Sequence, residues 1–300
     1  MTEDLVRKIK EAGAKRVLVQ LPEGLIIKSR ELEDALSKEG VQALVSLEPC
    51  YGACDLRDCE ALRLGCDLLV NVGHSDFGLK SKVPVLYYEW KKDWDPVPIL
   101  EKEKSKLPEK IGLVSTVNFL DSLEKIRDYL EKNGKKCYTG SGPSHPGQIL
   151  GCDVSAALEI EKKVDAFLFI GSGFFHPIGL ALKTEKPVFS LTQEKALKKV
   201  EKDKFVKQQH AARALAKDCK TFGILVSTKP GQVQAEKALE LKKKLESEGK
   251  KAFVFTMDSI TPEKLLGLDL DCYVSTACPR LAIENRTLFG KPILNPDEIE

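Results

Sequence analysis

Four sequence features recur three times along this 300-residue chain, in the same order and at nearly constant spacing. An apolar, strand-like run opens each copy: Arg16–Leu21, Ile111–Thr116 and Phe222–Ser227. A helical stretch follows and stops at Gly40, Gly134 or Gly249, which suit the left-handed position just past a helix end. Between Leu120 and Asn133, for example, apolar residues fall at Leu123, Ile126 and Leu130, a helical period. Second strands are expected at 43–47, 136–139 and 252–255. Third strands begin directly after Asp67, Asp165 and Asp271. A short fourth strand opens at Pro84, Pro187 and Pro292, which lie 103 and 105 residues apart. Such a repeat predicts an α/β protein made of three homologous small βα domains with mostly parallel four-stranded sheets, Rossmann-like and triplicated. The expected domains are 1–92, 93–195 and 196–300, arranged pseudo-threefold around a central site. The charged, proline-bearing stretch 91–109 reads as a linker, and 193–219 as a Lys-rich helical segment with a solvated basic face.

The chain has nine cysteines. It has no run of 18 apolar residues, and its first residues read as an amphipathic helix rather than a secretion signal. A cytoplasmic location is expected, where thiols or metal ligands are favoured over disulfides. The net charge of +2 gives no argument for binding nucleic acid or a membrane.

Three cysteines sit in similar loop-like contexts: Cys54 in Tyr-Gly-Ala-Cys-Asp, Cys152 in Leu-Gly-Cys-Asp and Cys278 in Thr-Ala-Cys-Pro-Arg. Cys54 precedes Asp67 by 13 residues, as Cys152 precedes Asp165, so the two are equivalent in repeats one and two. Cys278 instead follows Asp271 by 7 residues, where repeat one has His74 and repeat two has Ser172. Open α/β sheets place their chemistry at strand carboxyl ends. One thiol from each repeat, meeting there, suggests a metal or iron–sulfur site. Three cysteines around a 4Fe–4S cluster would leave one iron open to a substrate. A local site built from Cys50, Cys54 and Cys59 stays open as an alternative. Cys66, Cys137, Cys219 and Cys272 read as buried apolar residues. No C-x2-C pair occurs, which disfavours zinc ribbons and thioredoxin-like motifs.

Other strand-end residues suit an anionic or zwitterionic ligand. The turns Gln20-Leu-Pro22-Glu23-Gly24 and Lys229-Pro-Gly-Gln232 could turn backbone N–H groups toward a carboxylate or phosphate. His74, Ser75, Ser172 and Gly173 end the third strands. Arg280 could hold a carboxylate bidentately.

Gln-Leu-Pro-Glu-Gly, Glu-Pro-Cys-Tyr-Gly-Ala-Cys-Asp, Gly-His-Ser, Gly-Gln-x-Leu-Gly-Cys-Asp and Thr-Ala-Cys-Pro-Arg together resemble the archaeal diphthamide synthase family. The resemblance implies a homodimeric transferase with a 4Fe–4S cluster on Cys54, Cys152 and Cys278, reduced by an external electron donor. It further implies S-adenosylmethionine (SAM) as substrate, cleaved at its sulfur–Cγ bond in noncanonical radical SAM chemistry. The 3-amino-3-carboxypropyl group would then pass to the imidazole C2 of a histidine in translation elongation factor 2. Two alternatives are a quinolinate synthase-like 4Fe–4S enzyme acting on small molecules and a non-catalytic redox partner subunit.

Overall fold

Each first strand of the repeat starts where an aspartate from another strand holds its backbone. The Asp67 carboxylate accepts from the Lys15 N–H at 2.9 Å, Asp165 from Lys110 at 3.3 Å and Asp271 from Lys220 and Thr221 at 2.9 and 2.8 Å. The aspartates that mark the sequence repeat therefore do the same job three times. They pin the start of the first strand beside the start of the third.

The structure is a computed structural model and describes residues 1–193 and 195–299. The chain divides into two compact units, one of Met1–Trp94 with Thr116–Asp121, the other of Asp95–Ser115 with everything from Ser122 on. The first unit contains α1 (Thr2–Glu11), β1 (Arg16–Gln20), α2 (Ser29–Lys38), β2 (Gln42–Ser46), α3 (Asp58–Arg63), β3 (Leu68–Val72) and β4 (Val85–Tyr88). Its sheet has the order β2-β1-β3-β4 with every pair parallel. Alternate residues of β1 and β3 (Val17, Val19, Val70, Val72) pack with Leu5, Ile9, Leu32 and Leu36 of the covering helices.

The second unit repeats that strand order twice. Its first half comprises α4 (Val97–Glu103), β5 (Lys110–Ser115), α5 (Leu120–Lys132), β6 (Lys136–Tyr138), α6 (Ser155–Leu158), β7 (Ala166–Gly171), α7 (Phe175–Ala181), β8 (Val188–Thr192) and β9 (Lys195–Lys199), with sheet order β6-β5-β7-β8-β9. The rest comprises α8 (Asp203–Asp218), β10 (Thr221–Ser227), α9 (Ala235–Ser247), β11 (Lys251–Met257), β12 (Cys272–Ser275), α10 (Arg280–Ile283) and β13 (Ile293–Leu294), with order β11-β10-β12-β13. Both sheets are parallel apart from the β8–β9 pair. α2, α5 and α9 end on Gly40, Gly134 and Gly249 at φ of 75°, 79° and 79°, and the N–H after each glycine returns to Leu36, Leu130 and Leu245. This is the paired-bond helix stop that the glycine pattern predicts.

Two stretches differ from expectation. The segment 91–109 is not bare linker, because α4 forms within it and buries Leu100 completely. The Lys-rich stretch 193–219 is not helical throughout. β9 pairs antiparallel with β8 and extends the second sheet to Lys199 before α8 begins. Position 194 lies outside the described residues. Leu197 is buried while Lys198 and Lys199 are exposed, the lysine-bearing edge by which sheets avoid further pairing. Pairing with β8 overrides helical composition there.

Sheets two and three share a packing device that sheet one lacks. Gly112 on β5 is in register with Phe167 on β7, and Gly223 on β10 with Tyr273 on β12. A Cβ on Gly112 would stand 2.5 Å from the Phe167 ring, and one on Gly223 2.8 Å from the Tyr273 ring. In sheet one the matching pair is Leu18 and Leu69. Gly112→Ala should therefore destabilise by about 1–3 kcal/mol through overpacking. The same change in a Phe167→Leu background should cost clearly less. Denaturant midpoints of the two backgrounds measure this, and equal losses would contradict the packing account.

Candidate functional site

In a parallel sheet the loops after successive strands leave from one edge, and in the order 2-1-3-4 the chain reverses direction between the first and third strands. In the first unit Gln20 ends β1 and is in register with Asn71 of β3. Both are fully buried. The Gln20 amide nitrogen donates to the Asp55 carbonyl at 2.6 Å and contacts the Cys50 sulfur at 2.7 Å, and its oxygen accepts from the Arg57 N–H at 3.0 Å. Gln20 thus clamps both sides of the Cys54 loop. Gln20 therefore shapes this loop through both ends of its amide.

Asn71 extends the network: its Oδ1 lies 2.9 Å from His74 Nδ1, and its amide reaches Cys50 Sγ at 3.8 Å. Burial pulls His74 down to about 4, so the ring is neutral at pH 7. Ser75 is buried. Pro22 packs on Gly73, where an added Cβ would come within 3.1 Å of its ring. Glu23 and Gly24 are exposed at the start of a 3-10 turn that runs into α2. Asp58 anchors the far side of the loop by accepting from the Lys82 N–H at 2.9 Å.

In the second unit the segment around Gln148 bridges to Ser115 at the end of β5: the Ser115 N–H donates to the Gly147 carbonyl and the Ile149 N–H to the Ser115 carbonyl, both at 2.8 Å. This leads into a tight turn closed by Leu150 N–H to the Asp153 carbonyl at 2.7 Å, and Cys152 stands exposed on it. Ser172 and Gly173 are exposed past β7. Cys278 is half-buried between β12 and α10, beyond Thr276, whose N–H and hydroxyl both reach the Leu225 carbonyl. Arg280 donates to Glu284 at 2.5 Å and lies over the Phe175 ring at 5.5 Å. Lys229 is buried, with Nζ 3.6 Å from Asp258, ahead of a short 3-10 turn containing the half-buried Gln232.

Burial sorts the nine thiols. Desolvation, then the charge of Asp55, pushes Cys50 up to about 12; desolvation pushes Cys137 up to about 11 and raises Cys66, Cys219 and Cys272. Metal ligation takes the thiolate, and burial disfavours that form at these five positions. Cys54, Cys152 and Cys278 are half-buried or exposed and lie in loops, as is fitting for soft donors to an iron–sulfur group. Cys59 is also half-buried, but it sits in the first turn of α3 and its N–H is held by Asp58 at 2.8 Å. The compact Cys50–Cys54–Cys59 site is therefore not supported, since Cys50 belongs to the buried amide network. Among the described residues, no three His, Cys, Asp or Glu side chains are grouped as a metal site within either unit.

Two open clefts of about 400 and 520 Å³ lie along β4 and share Tyr87; no cysteine lines either. Among the described residues, no helix is long and apolar enough to cross a membrane. Sequence reasoning singled out Gln20 and His74 but missed Asn71 and Asp58 as loop organisers. Their signal, a polar residue within or just after an apolar run, is shared by many strands.

Three parallel sheets of one strand order, each followed by an accessible thiol in a carboxyl-end loop, define a triplicated α/β protein equipped for soft-metal chemistry. A family model described as "Putative diphthamide synthesis protein" matches residues 21–300. The chain belongs to that family. It is 36% identical over 304 residues to a 2-(3-amino-3-carboxypropyl)histidine synthase from Pyrococcus horikoshii, covering 99% of this chain and 88% of the relative. A synthase of the same name from Methanocaldococcus jannaschii is 29% identical, covering 100% and 88%. The fold matches the crystal structure of Dph2 from Pyrococcus horikoshii with a 4Fe–4S cluster, with a TM-score of 0.92, 35% identity, and coverage of 100% of this chain and 89% of that one.

The acid limb of stability tests the buried network. Because the folded His74 sits at about 4, below its ordinary 6.5, the unfolded chain takes up that proton first as pH falls. The contribution is complete above about pH 6.5 and lost progressively toward about pH 4, amounting to at most ~3 kcal/mol. His74→Gln should flatten the fall in denaturant midpoint across that window. An unchanged slope would show that His74 is not the half-buried neutral group described.

Proposed function

We propose that this chain is a 2-(3-amino-3-carboxypropyl)histidine synthase that carries out the first step of diphthamide formation. It moves the 3-amino-3-carboxypropyl group of SAM to the imidazole C2 of a histidine in translation elongation factor 2. The observation that carries this reading is the sorting of thiols: the three accessible loop cysteines are the three in family-like motifs. Full-length similarity to a named synthase supports the transferase activity.

Cys54, Cys152 and Cys278 are the residues assigned to hold a 4Fe–4S group. When bound, such a group on three thiolates supplies one electron and an iron with an open coordination position. The rest of the task falls to the chain itself. Gln20, Asn71 and Asp58 fix the backbone around the Cys54 loop through their hydrogen bonds. Neutral His74 adds no cationic charge beside that loop. Glu23, Gly24, Ser172, Gly173 and Arg280, exposed at strand ends, and the half-buried Gln232 are candidates for the charged groups of SAM. Pro22 and Ser75 shape the rim, Pro22 by packing on Gly73. Holding the substrate so that one sulfur–carbon bond is aimed correctly is the main lever a protein has over such chemistry. A homodimer, a cytoplasmic location and an external one-electron reductant complete the reading.

Anaerobic reconstitution tests it. Wild-type protein, reduced and given SAM, should release methylthioadenosine and modify the elongation factor. Cys54→Ala, Cys152→Ala and Cys278→Ala should each lose most bound iron and at least ~100-fold in turnover, while Cys66→Ala keeps both. An intact cluster with no methylthioadenosine would instead point to small-molecule chemistry without SAM. Normal iron in any of the three variants would remove that residue from the site.

A further inference from the structure

Gly151 immediately precedes Cys152, and Arg280 follows Cys278 by two residues; both pack against the ring of Phe175, the first residue of α7. A Cβ built on Gly151 would stand 1.7 Å from Phe175 Cε1 and 2.3 Å from Cδ1 and Cζ, so the ring occupies the space of any side chain there. One turn along α7 the backbone is equally close, since a Cβ on Gly179 would fall 2.9 Å from the Gly151 carbonyl oxygen. Just past the helix, Lys183 Nζ donates to the Cys152 carbonyl at 3.1 Å. The Cys152 turn is therefore held at three points, two on α7 and one just past its end.

The Cys278 loop reaches the same ring through Arg280, whose guanidinium carbon is 5.5 Å from the ring centroid. Glu284 holds that guanidinium at 2.5 Å. A planar cation on an aromatic ring is attracted by the ring quadrupole, and arginine stacks where lysine does not. The ring itself is tied to the core: His176 meets it edge-on at 5.6 Å and stacks parallel on the fully buried Phe169 of β7 at 6.0 Å.

We propose that Phe175 is a positioning residue: its ring sets the spacing between the Cys152 and Cys278 loops and so fixes two thiols of the metal group relative to each other. This rests on the assignment of those two cysteines as ligands. An aromatic ring suits the place because it is flat and rigid, lies flush against a glycine and offers a face to a guanidinium. Leucine would fill similar volume without the stacking, and tyrosine would keep both contacts.

The experiment has two stages. In cluster-free protein, Gly151→Ala and Phe175→Ala should each lower the thermal midpoint by several degrees. Gly151→Ala should cost little once Phe175 is alanine, because the clash is gone. Additive losses would overturn the contact. In anaerobically reconstituted protein, Phe175→Ala should lower iron affinity about 10-fold and shift the electron paramagnetic resonance spectrum of the reduced form. Phe175→Tyr should restore both, and Arg280→Lys should shift the spectrum in the same sense by less. Wild-type iron and spectrum in Phe175→Ala, or in Arg280→Lys should the alanine variant not fold, would overturn the proposal. The ligand assignment fails separately, by Cys152→Ala or Cys278→Ala retaining full iron.

Discussion

Parallel pairing is the constraint on which the rest of this structure depends. Parallel neighbours cannot be joined by a tight turn, so apart from the β8–β9 hairpin each connection crosses over the sheet and the parallel strands of a sheet all end at the same edge. With the order 2-1-3-4 repeated three times, the loops after the first, second and third strands of each sheet leave from that edge. Catalytic equipment in this chain therefore has three defined places per repeat, and the chain needs only to change loop residues to use them. The register of β1 on β3 places Gln20 opposite Asn71, which is what brings two buried amides to Cys50 and closes the Cys54 loop.

The repeats keep the scaffold and vary the loops. Each aspartate before a third strand holds the start of a first strand, and each long helix stops on a left-handed glycine. The thiols do not follow that symmetry. Two stand after second strands and one after a third, with a fully buried serine, Ser275, ending the third strand that precedes Cys278.

Burial then separates thiols of identical chemistry into two populations. Cys272 and Cys50 are enclosed by strands and side chains, where a charged sulfur is disfavoured. Cys152 stands on a turn whose backbone is tied down while its side chain is exposed. Rigid backbone with an accessible side chain is the combination a metal ligand requires, since ligand geometry then costs little ordering on binding.

Much of this was legible in the sequence. The threefold strand pattern, the glycine stops and the loop positions of Cys54, Cys152 and Cys278 follow from periodicity and turn chemistry, which act over a few residues. What α4 and β9 would become was not legible, because pairing with β8 and burial of Leu100 are decided by distant neighbours. Nor was the packing of Gln20 legible, because its amide contacts with Cys50, Asp55 and Arg57 depend on residues 30 or more positions away. Phe175 carried no signal at all, since a phenylalanine beside a proline-bearing helix start is ordinary in sequence. Local physics determined which elements form and which thiols lie in loops; long-range packing alone decided which polar groups are enclosed and which ring meets Gly151 and Arg280.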